Sequence, residues 1–471
     1  MVYYTEIQKE KVYFGTSEKG DSIMETIKKE LTKIVEYYNC QFLESQRKTH
    51  EELASIIETT YNKIIEQDFD FSAFTSMKLT QNNKKREVYR YTEWSVEHFL
   101  CMYLKRCLDK KFRIKYSNRN EQMHLLFSTL SSLRNMKDYI IVKFDFENFF
   151  ESISSEYVYK KHIQGVQLKR FQQDFFKRFV KDCKYCYAGI NTSNVFAEII
   201  TQHFDGLILQ KFKDRGLIFY KRYVDDGILI FNRYIKKDEV HDIIEMCIET
   251  VFRNPNIVAE KSCVTKINEN KFQYISMRML DKEGENFNFL GYDFHLSTID
   301  NKKTQIEYGI TSEKIDKYNK KINKIIYAYK EDGNVELLRH RIRAFVCRTV
   351  YRRKKYSSLI WKSKGFSSNY CELGSHIESL DDKTEKFLKE GISNAFLAAD
   401  LPLPYFVNGN PYSLYHSLKN HTTLLFEENE RVGITFETLK KLCRQIDIHD
   451  VDRKTYNALV REYLIAVKVG H

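Results

Sequence analysis

Leu217-Ile218-Phe219-Tyr220-Lys221-Arg222-Tyr223-Val224-Asp225-Asp226-Gly227-Ile228-Leu229-Ile230-Phe231 is the stretch on which the fold turns. Two runs rich in aromatic and β-branched residues flank Val224-Asp225-Asp226-Gly227, and an Asp-Gly pair between such runs is a hairpin-turn signal. The pattern predicts two strands with adjacent carboxylates at their tip. Like charges so close raise each other's pKa unless a cation neutralises them, so the pair is costly without a purpose. Upstream, Ile140-Ile141-Val142-Lys143-Phe144-Asp145-Phe146-Glu147-Asn148-Phe149-Phe150 is an apolar strand running into an acidic residue and then aromatics, which puts Asp145 at a strand end facing a cleft.

Three carboxylates in that arrangement suit magnesium, which takes hard oxygen ligands and commonly uses one or two carboxylates plus substrate phosphates. Two ions held this way activate an attacking 3′-hydroxyl and stabilise a leaving pyrophosphate, the in-line displacement shared by polymerases. The chain carries its own controls. Asp381-Asp382 lies between helical segments without flanking strands and reads as a solvated turn or a helix start. Asp68-Phe69-Asp70-Phe71 mimics the surroundings of Asp145 but lacks the apolar strand before it.

Bulk properties agree with a folded, nucleic-acid-facing protein. The 471 residues suggest several packed units, and 42% hydrophobic and 14% aromatic content excludes disorder. Lys and Arg number 76 against 64 Asp and Glu, an excess of 12 that favours a polyanionic partner. Of ten cysteines only Cys183 and Cys186 form a CxxC pair, so neither a disulfide framework nor a four-ligand zinc site is indicated, and the pair reads as core packing. No apolar stretch of signal-peptide length opens the chain and no run of about 18 apolar residues occurs, so a cytoplasmic protein without membrane contact is expected.

Strand signals recur at Tyr139 to Phe144, Leu217 to Tyr223, Ile228 to Phe231, Lys271 to Leu280 and Asn288 to Leu296. Helical spacing marks Asp21 to Ile65, Gln173 to Phe212, and everything after about Ile310. Arg339 to Lys355 holds eight basic residues and no acidic one, interleaved with Phe345, Val350 and Tyr351. Read as a helix it offers a positive stripe for a phosphate backbone, with Arg348, Arg352 and Arg353 as nucleic-acid contacts.

Tyr223-Val224-Asp225-Asp226 resembles the YxDD box of reverse transcriptases, and Phe144-Asp145 through Phe149-Phe150 resembles their motif A with the double aromatic of bacterial members. Gly189-Ile190-Asn191-Thr192-Ser193-Asn194 is similar to motif B, Glu260-Lys261 to motif D and Phe289-Leu290-Gly291-Tyr292 to the motif E primer grip. The resemblance implies metal ligation by Asp145, Phe146, Asp225 and Asp226 of two Mg²⁺ ions, with Mn²⁺ as a substitute. It makes Lys261 the partner of the pyrophosphate and Phe150 a steric gate that selects deoxynucleotides. Lys78, Arg86, Gly189, Ser193 and Tyr223 would meet the incoming dNTP, and Gly291 and Tyr292 the nucleic acid. For Lys78 and Arg86 an exposed basic hairpin is the competing reading, and Tyr116 to Arg119 sits where another finger contact falls.

Ala188 stands before Gly189 and Asn194 after Ser193, where many reverse transcriptases carry Gln and Pro, which argues against ordinary copying of a long RNA. The pattern is most similar to the abortive-infection and defence-associated bacterial reverse transcriptases. It implies an α+β right-hand polymerase: N-terminal helices and fingers over 1–137, a palm with an antiparallel sheet over 138–298, and a helical thumb and C-terminal domain over 299–471. The partners implied are an RNA template or non-coding RNA, the DNA product, dNTPs, and a second copy or a partner defence protein. Template-independent or protein-primed synthesis, a retron or group II intron type of enzyme, and a non-catalytic nucleic-acid scaffold remain the alternatives.

Overall fold

Capping chemistry sets the ends of the entry helices in the computed structural model, which describes residues 18–42, 46–81, 84–253, 265–299, 303–355, 358–428 and 432–468. Helix α1 (Glu18–Asn39) precedes α2 (His50–Glu66), which starts on a capping box in which Thr49 and Glu52 satisfy each other's amides and stops at Gln67 in the left-handed region. An antiparallel hairpin, β1 (Thr75–Gln81) and β2 (Lys84–Arg90), leads to α3 (Val96–Lys111) and α4 (Arg119–Leu133).

The central sheet is built next. Strand β3 (Ile140–Asp145) is followed by α5 (Ser155–Val158), which runs into a π-helical turn, then α6 (Arg170–Asp182) and α7 (Asn191–Phe212). The hairpin β4 (Leu217–Tyr223) and β5 (Asp226–Phe231), helix α8 (Lys237–Phe252) and strand β6 (Gln273–Ser276) complete the order β4-β5-β3-β6, every neighbour antiparallel. All six residues of β3 are buried, because each face of the sheet is covered. Ile140, Val142, Phe144, Leu229 and Phe231 join a core shared with α3, α6, α7 and α8. Ile141, Ile228 and Ile230 point the other way, into a core shared with α4 and the elements that follow.

Those elements are the antiparallel meander β7 (Glu285–Phe289), β8 (Tyr292–Ile299) and β9 (Lys303–Ile310), then α9 (Ser312–Asp332) and α10 (Val335–Val346). The remainder is β10 (Arg348–Lys355), β11 (Ser358–Lys364), α11 (Phe366–Asn369), α12 (Asp382–Ala398), α13 (Leu414–Lys419), β12 (Thr423–Phe426), α14 (Phe436–Gln445) and α15 (Tyr456–Ala466). Here β12 lies parallel to β10 on the edge opposite β11. The chain is thus mixed α+β with antiparallel sheets and many helices, and among the described residues no helix is long and apolar enough to cross a membrane.

Four expectations change. The run from Asn288 to Leu296 is two strands, split by a turn at Leu290 (φ 50) and Gly291 (φ 87), the positive pair a tight hairpin needs. The boundary set at 298 falls inside β8, so the meander straddles it. Gln173 to Phe212 is not one helix: α6 stops at Asp182 and α7 starts at Asn191. Finally, the basic run does not form one helix. It breaks at Cys347, and its second half is β10, where buried Thr349 pairs with Leu424 and the β-branched and aromatic residues outweigh the charge pattern.

Candidate active site

The register of β3 on β5 sets Asp145 directly opposite Asp226, and β4 on β5 sets Tyr223 opposite Asp226. Val224 and Asp225 make the intervening turn, with Val224 at φ 58. The turn lies two residues earlier than the Asp226-Gly227 signal placed it. Gly227 is inside β5 instead, and a Cβ there would lie 2.2 Å from the ring of Phe144. Its role is to let that ring pack across the strand. A β-branched residue in the left-handed region is strained, and such strain persists only where the surroundings over-determine it.

Here the surroundings are Arg222. Its side chain is 2% exposed, pairs with Asp205 at 2.9 Å and Glu198 at 3.2 Å, and donates to the Val224 carbonyl at 2.7 Å. Glu198 and Asp205 are seven residues apart on α7, hence on one face. Ser117 and Gln122 donate to the Arg222 carbonyl at 2.9 and 2.8 Å, fastening the same strand to the start of α4.

The outcome is that ligand oxygens of Asp145, Asp225 and Asp226 all lie within 4.8 Å of one another. Asp145 is 2% exposed. Burial, then Asp225 and Asp145, push the Asp226 carboxyl up from 3.8 to about 6, partly offset by Lys143. The Lys143 ammonium donates to Asn288 at 2.9 Å and is itself pushed down by burial. Lys271, on a 3₁₀ turn at Glu269–Lys271, pairs with Asp145 at 2.6 Å. A second convergent group, His241, Glu245 and Glu269, holds that turn to α8: His241 bonds Glu269 at 2.8 Å and Glu245 accepts from the Ile267 amide at 2.6 Å.

Three hard carboxylates with one proton affinity raised form a donor set that fits divalent cations such as Mg²⁺. Phe146 is buried and stacks on Phe149, so it can offer only its main-chain carbonyl. Phe149 is core, whereas Phe150 is half-buried with its ring edge-on to Phe149. Tyr223 is half-buried beside the aspartates.

Other expected residues fare differently. Gly189 (φ 104) lies where a Cβ would be 2.5 Å from the Tyr89 carbonyl oxygen, so its place is a close backbone approach to β2, reinforced by the Tyr89 amide donating to Ala188 at 2.8 Å. Ser193 is 0% exposed in α7, with its hydroxyl inside the protein. Tyr292 is likewise 0% exposed: its hydroxyl lies within hydrogen-bond reach of Glu372 and the Asn369 carbonyl, which ties its ring into the interior. Gly291 remains at the turn, where Arg119 donates to the adjacent Leu290 carbonyl at 2.8 and 3.0 Å and so braces it.

Lys78 is exposed on β1 opposite Glu87. Arg86 pairs with Leu79 through the backbone, and its side chain lies outside the described residues, as does Lys261 altogether. In β10, Arg348 is exposed, Arg352 pairs with Glu427 at 3.0 Å and lies over Trp361, and Arg353 comes within 3.5 Å of Gln41 at the end of α1. Cys183 and Cys186 are buried free thiols.

Sequence reading missed Arg222, Lys143 and Lys271. A charge inside an apolar strand was the available signal for Lys143. Nothing local marks Lys271, which reaches Asp145 across 126 residues of sequence.

No family model and no curated protein matches the chain. Among solved structures, apo telomerase from Candida tropicalis, truncated from its C-terminal domain, aligns with 12% identity and a TM-score of 0.31, covering 50% of this chain and 55% of that one. The alignment thus spans about half of each chain, and a likeness of that degree carries no weight for fold or function.

Proposed function

We propose that the chain is a metal-dependent nucleotidyltransferase of the reverse-transcriptase type, a right-hand polymerase whose palm is the sheet β4-β5-β3-β6. The observation that carries this reading is the meeting of Asp145, Asp225 and Asp226 within 4.8 Å at the end of that sheet. Two divalent ions bound there would supply activation of a 3′-hydroxyl and charge neutralisation at the leaving pyrophosphate. Asp145, Asp225, Asp226 and the Phe146 carbonyl are the groups to hold them.

The chain's own part is positioning. Arg222 and its two carboxylate partners fix the turn that carries Asp225, and the β3–β5 register fixes Asp145 against Asp226. Phe150, half-buried five residues beyond Asp145, is the group to exclude a ribose 2′-hydroxyl. The exposed cations Lys78 and Arg348 supply attraction to phosphates. A role in antiphage defence follows from the resemblance to the abortive-infection group.

Purified protein with its co-purifying nucleic acid, Mg²⁺ and each labelled dNTP, beside an Asp225→Ala/Asp226→Ala control, tests the reading. Product that requires the aspartates supports it, and RNase or protease treatment separates RNA-templated from protein-linked synthesis. No incorporation with any primer, template or divalent metal leaves a non-catalytic scaffold as the better reading.

A further inference from the structure

A cavity of about 170 Å³ opens between α10, α14 and the segment at residue 412, lined by Arg339, His340, Arg343, Tyr412, Leu442 and Gln445. None of the elements that line it contributes to the aspartate cluster. Arg339 and Arg343 are four residues apart on α10 and share a face. No carboxylate lines the cavity; Glu336 sits beside it, 3.9 Å from Arg339 on the half-exposed side.

The polar groups around the cavity are donors. Tyr412 accepts from Arg339 at 2.8 Å, which leaves its own hydroxyl proton to be given elsewhere. His340 bonds Tyr463 at 2.9 Å through Nδ1 and the Gln445 carbonyl oxygen at 3.2 Å through Nε2, so the acceptor of Gln445 is used and its NH₂ is left to donate. The Arg343 Nε is buried without a hydrogen-bond partner, and Arg343 has no ion pair among the described residues. Arg222 shows how this chain treats a buried guanidinium that serves the fold, since two carboxylates and a carbonyl receive it. The buried Nε of Arg343 is a donor that nothing among the described residues answers, and such a donor is costly.

We propose that this cavity binds a terminal phosphate group, held by Arg339 and Arg343 with Tyr412 and Gln445. Two guanidiniums match the two charges of a phosphate monoester, and their forks suit its oxygens. A carboxylate would answer only one of them. A cavity of about 170 Å³ has room for a phosphate group, and the four groups named address that group alone. The end of a nucleic-acid strand and the phosphate of a free mononucleotide share this chemistry.

The test uses the full chain in the Asp225→Ala/Asp226→Ala background without divalent metal, which removes the metal-dependent site from the measurement. Fluorescence anisotropy compares one labelled oligonucleotide bearing a 5′-phosphate with the same oligonucleotide bearing a 5′-hydroxyl. A preference of about tenfold or more for the phosphate is expected, falling to none in Arg343→Gln and in Arg339→Gln. Arg343→Gln should melt no lower than its parent, because it removes a buried Nε donor that has no partner; Arg339→Gln gives the same reading should the first variant fail to fold. A deoxynucleoside monophosphate that competes at matching concentration assigns the ligand to free nucleotide, and failure to compete assigns it to the strand end. Equal affinity for the two oligonucleotides, or a preference that survives both substitutions, overturns the proposal.

Discussion

The dipeptide Asp-Asp occurs in two places in this chain with opposite fates. Asp225-Asp226 sits at a strand turn, beside a third carboxylate, on a backbone strained at Val224 and with the Asp226 carboxyl pushed up to about 6. Asp381-Asp382 starts a helix: Asp381 accepts from the Thr384 amide at 2.6 Å, and its amide donates to the Tyr308 carbonyl at 3.0 Å. The second pair is satisfied by its own helix, whereas the first converges with Asp145 into a cluster that favours a cation. The difference teaches that the surrounding backbone, and not the dipeptide, decides whether adjacent carboxylates cap a helix or converge with a third.

The largest effect that sharpens this contrast is catalytic. Asp225→Ala/Asp226→Ala should cut dNTP incorporation by more than about 10³-fold with unchanged circular dichroism, while Asp381→Ala/Asp382→Ala leaves incorporation nearly intact. Comparable losses from both would erase the contrast.

Next comes the support of the first pair. Arg222→Met leaves Asp205 and Glu198 without their buried cation and should destabilise the protein by about 3 kcal/mol in urea melts. A neutral result would mean that the trio does not hold the turn.

Third is the strain stored as unfavourable charge. Asp226 binds its proton more tightly folded than unfolded, so folding is penalised progressively as pH rises from about 4 to about 6, and fully above that. Asp226→Asn should therefore stabilise the metal-free protein by on the order of 1 to 2 kcal/mol at pH 7, an advantage that vanishes below about pH 4. A pH-independent difference would contradict it. Smallest is the helix cap: Asp381→Ala should cost about 1 kcal/mol in urea melts.

The sheet β4-β5-β3-β6 was legible because its burial is simple. β3 is covered on both faces and reads as one apolar run, and β4 begins and ends where its aromatic run does. The turn between β4 and β5 was misplaced because the Gly signal is strong and the left-handed Val224 is held by Arg222, which Glu198 and Asp205 anchor from α7. The C-terminal part was less legible for a related reason. β10 takes its buried partner β12 from far along the chain, and only that pairing shows that Thr349 faces inward while the cations flank it. Likewise, Ser193 and Tyr292 match a family pattern in type but are sealed by contacts that no local pattern records.

That parallel pairing has a consequence during synthesis. β10 finds β11 through a hairpin almost as soon as both leave the ribosome, but its other edge waits until Thr423–Phe426 is made. At about 5 to 20 residues per second the wait is on the order of 10 s, during which a β-prone edge is open to neighbouring nascent chains. Arg352 and Arg353, placed in that same strand, are charges of the kind that discourage an open edge from pairing with a neighbour.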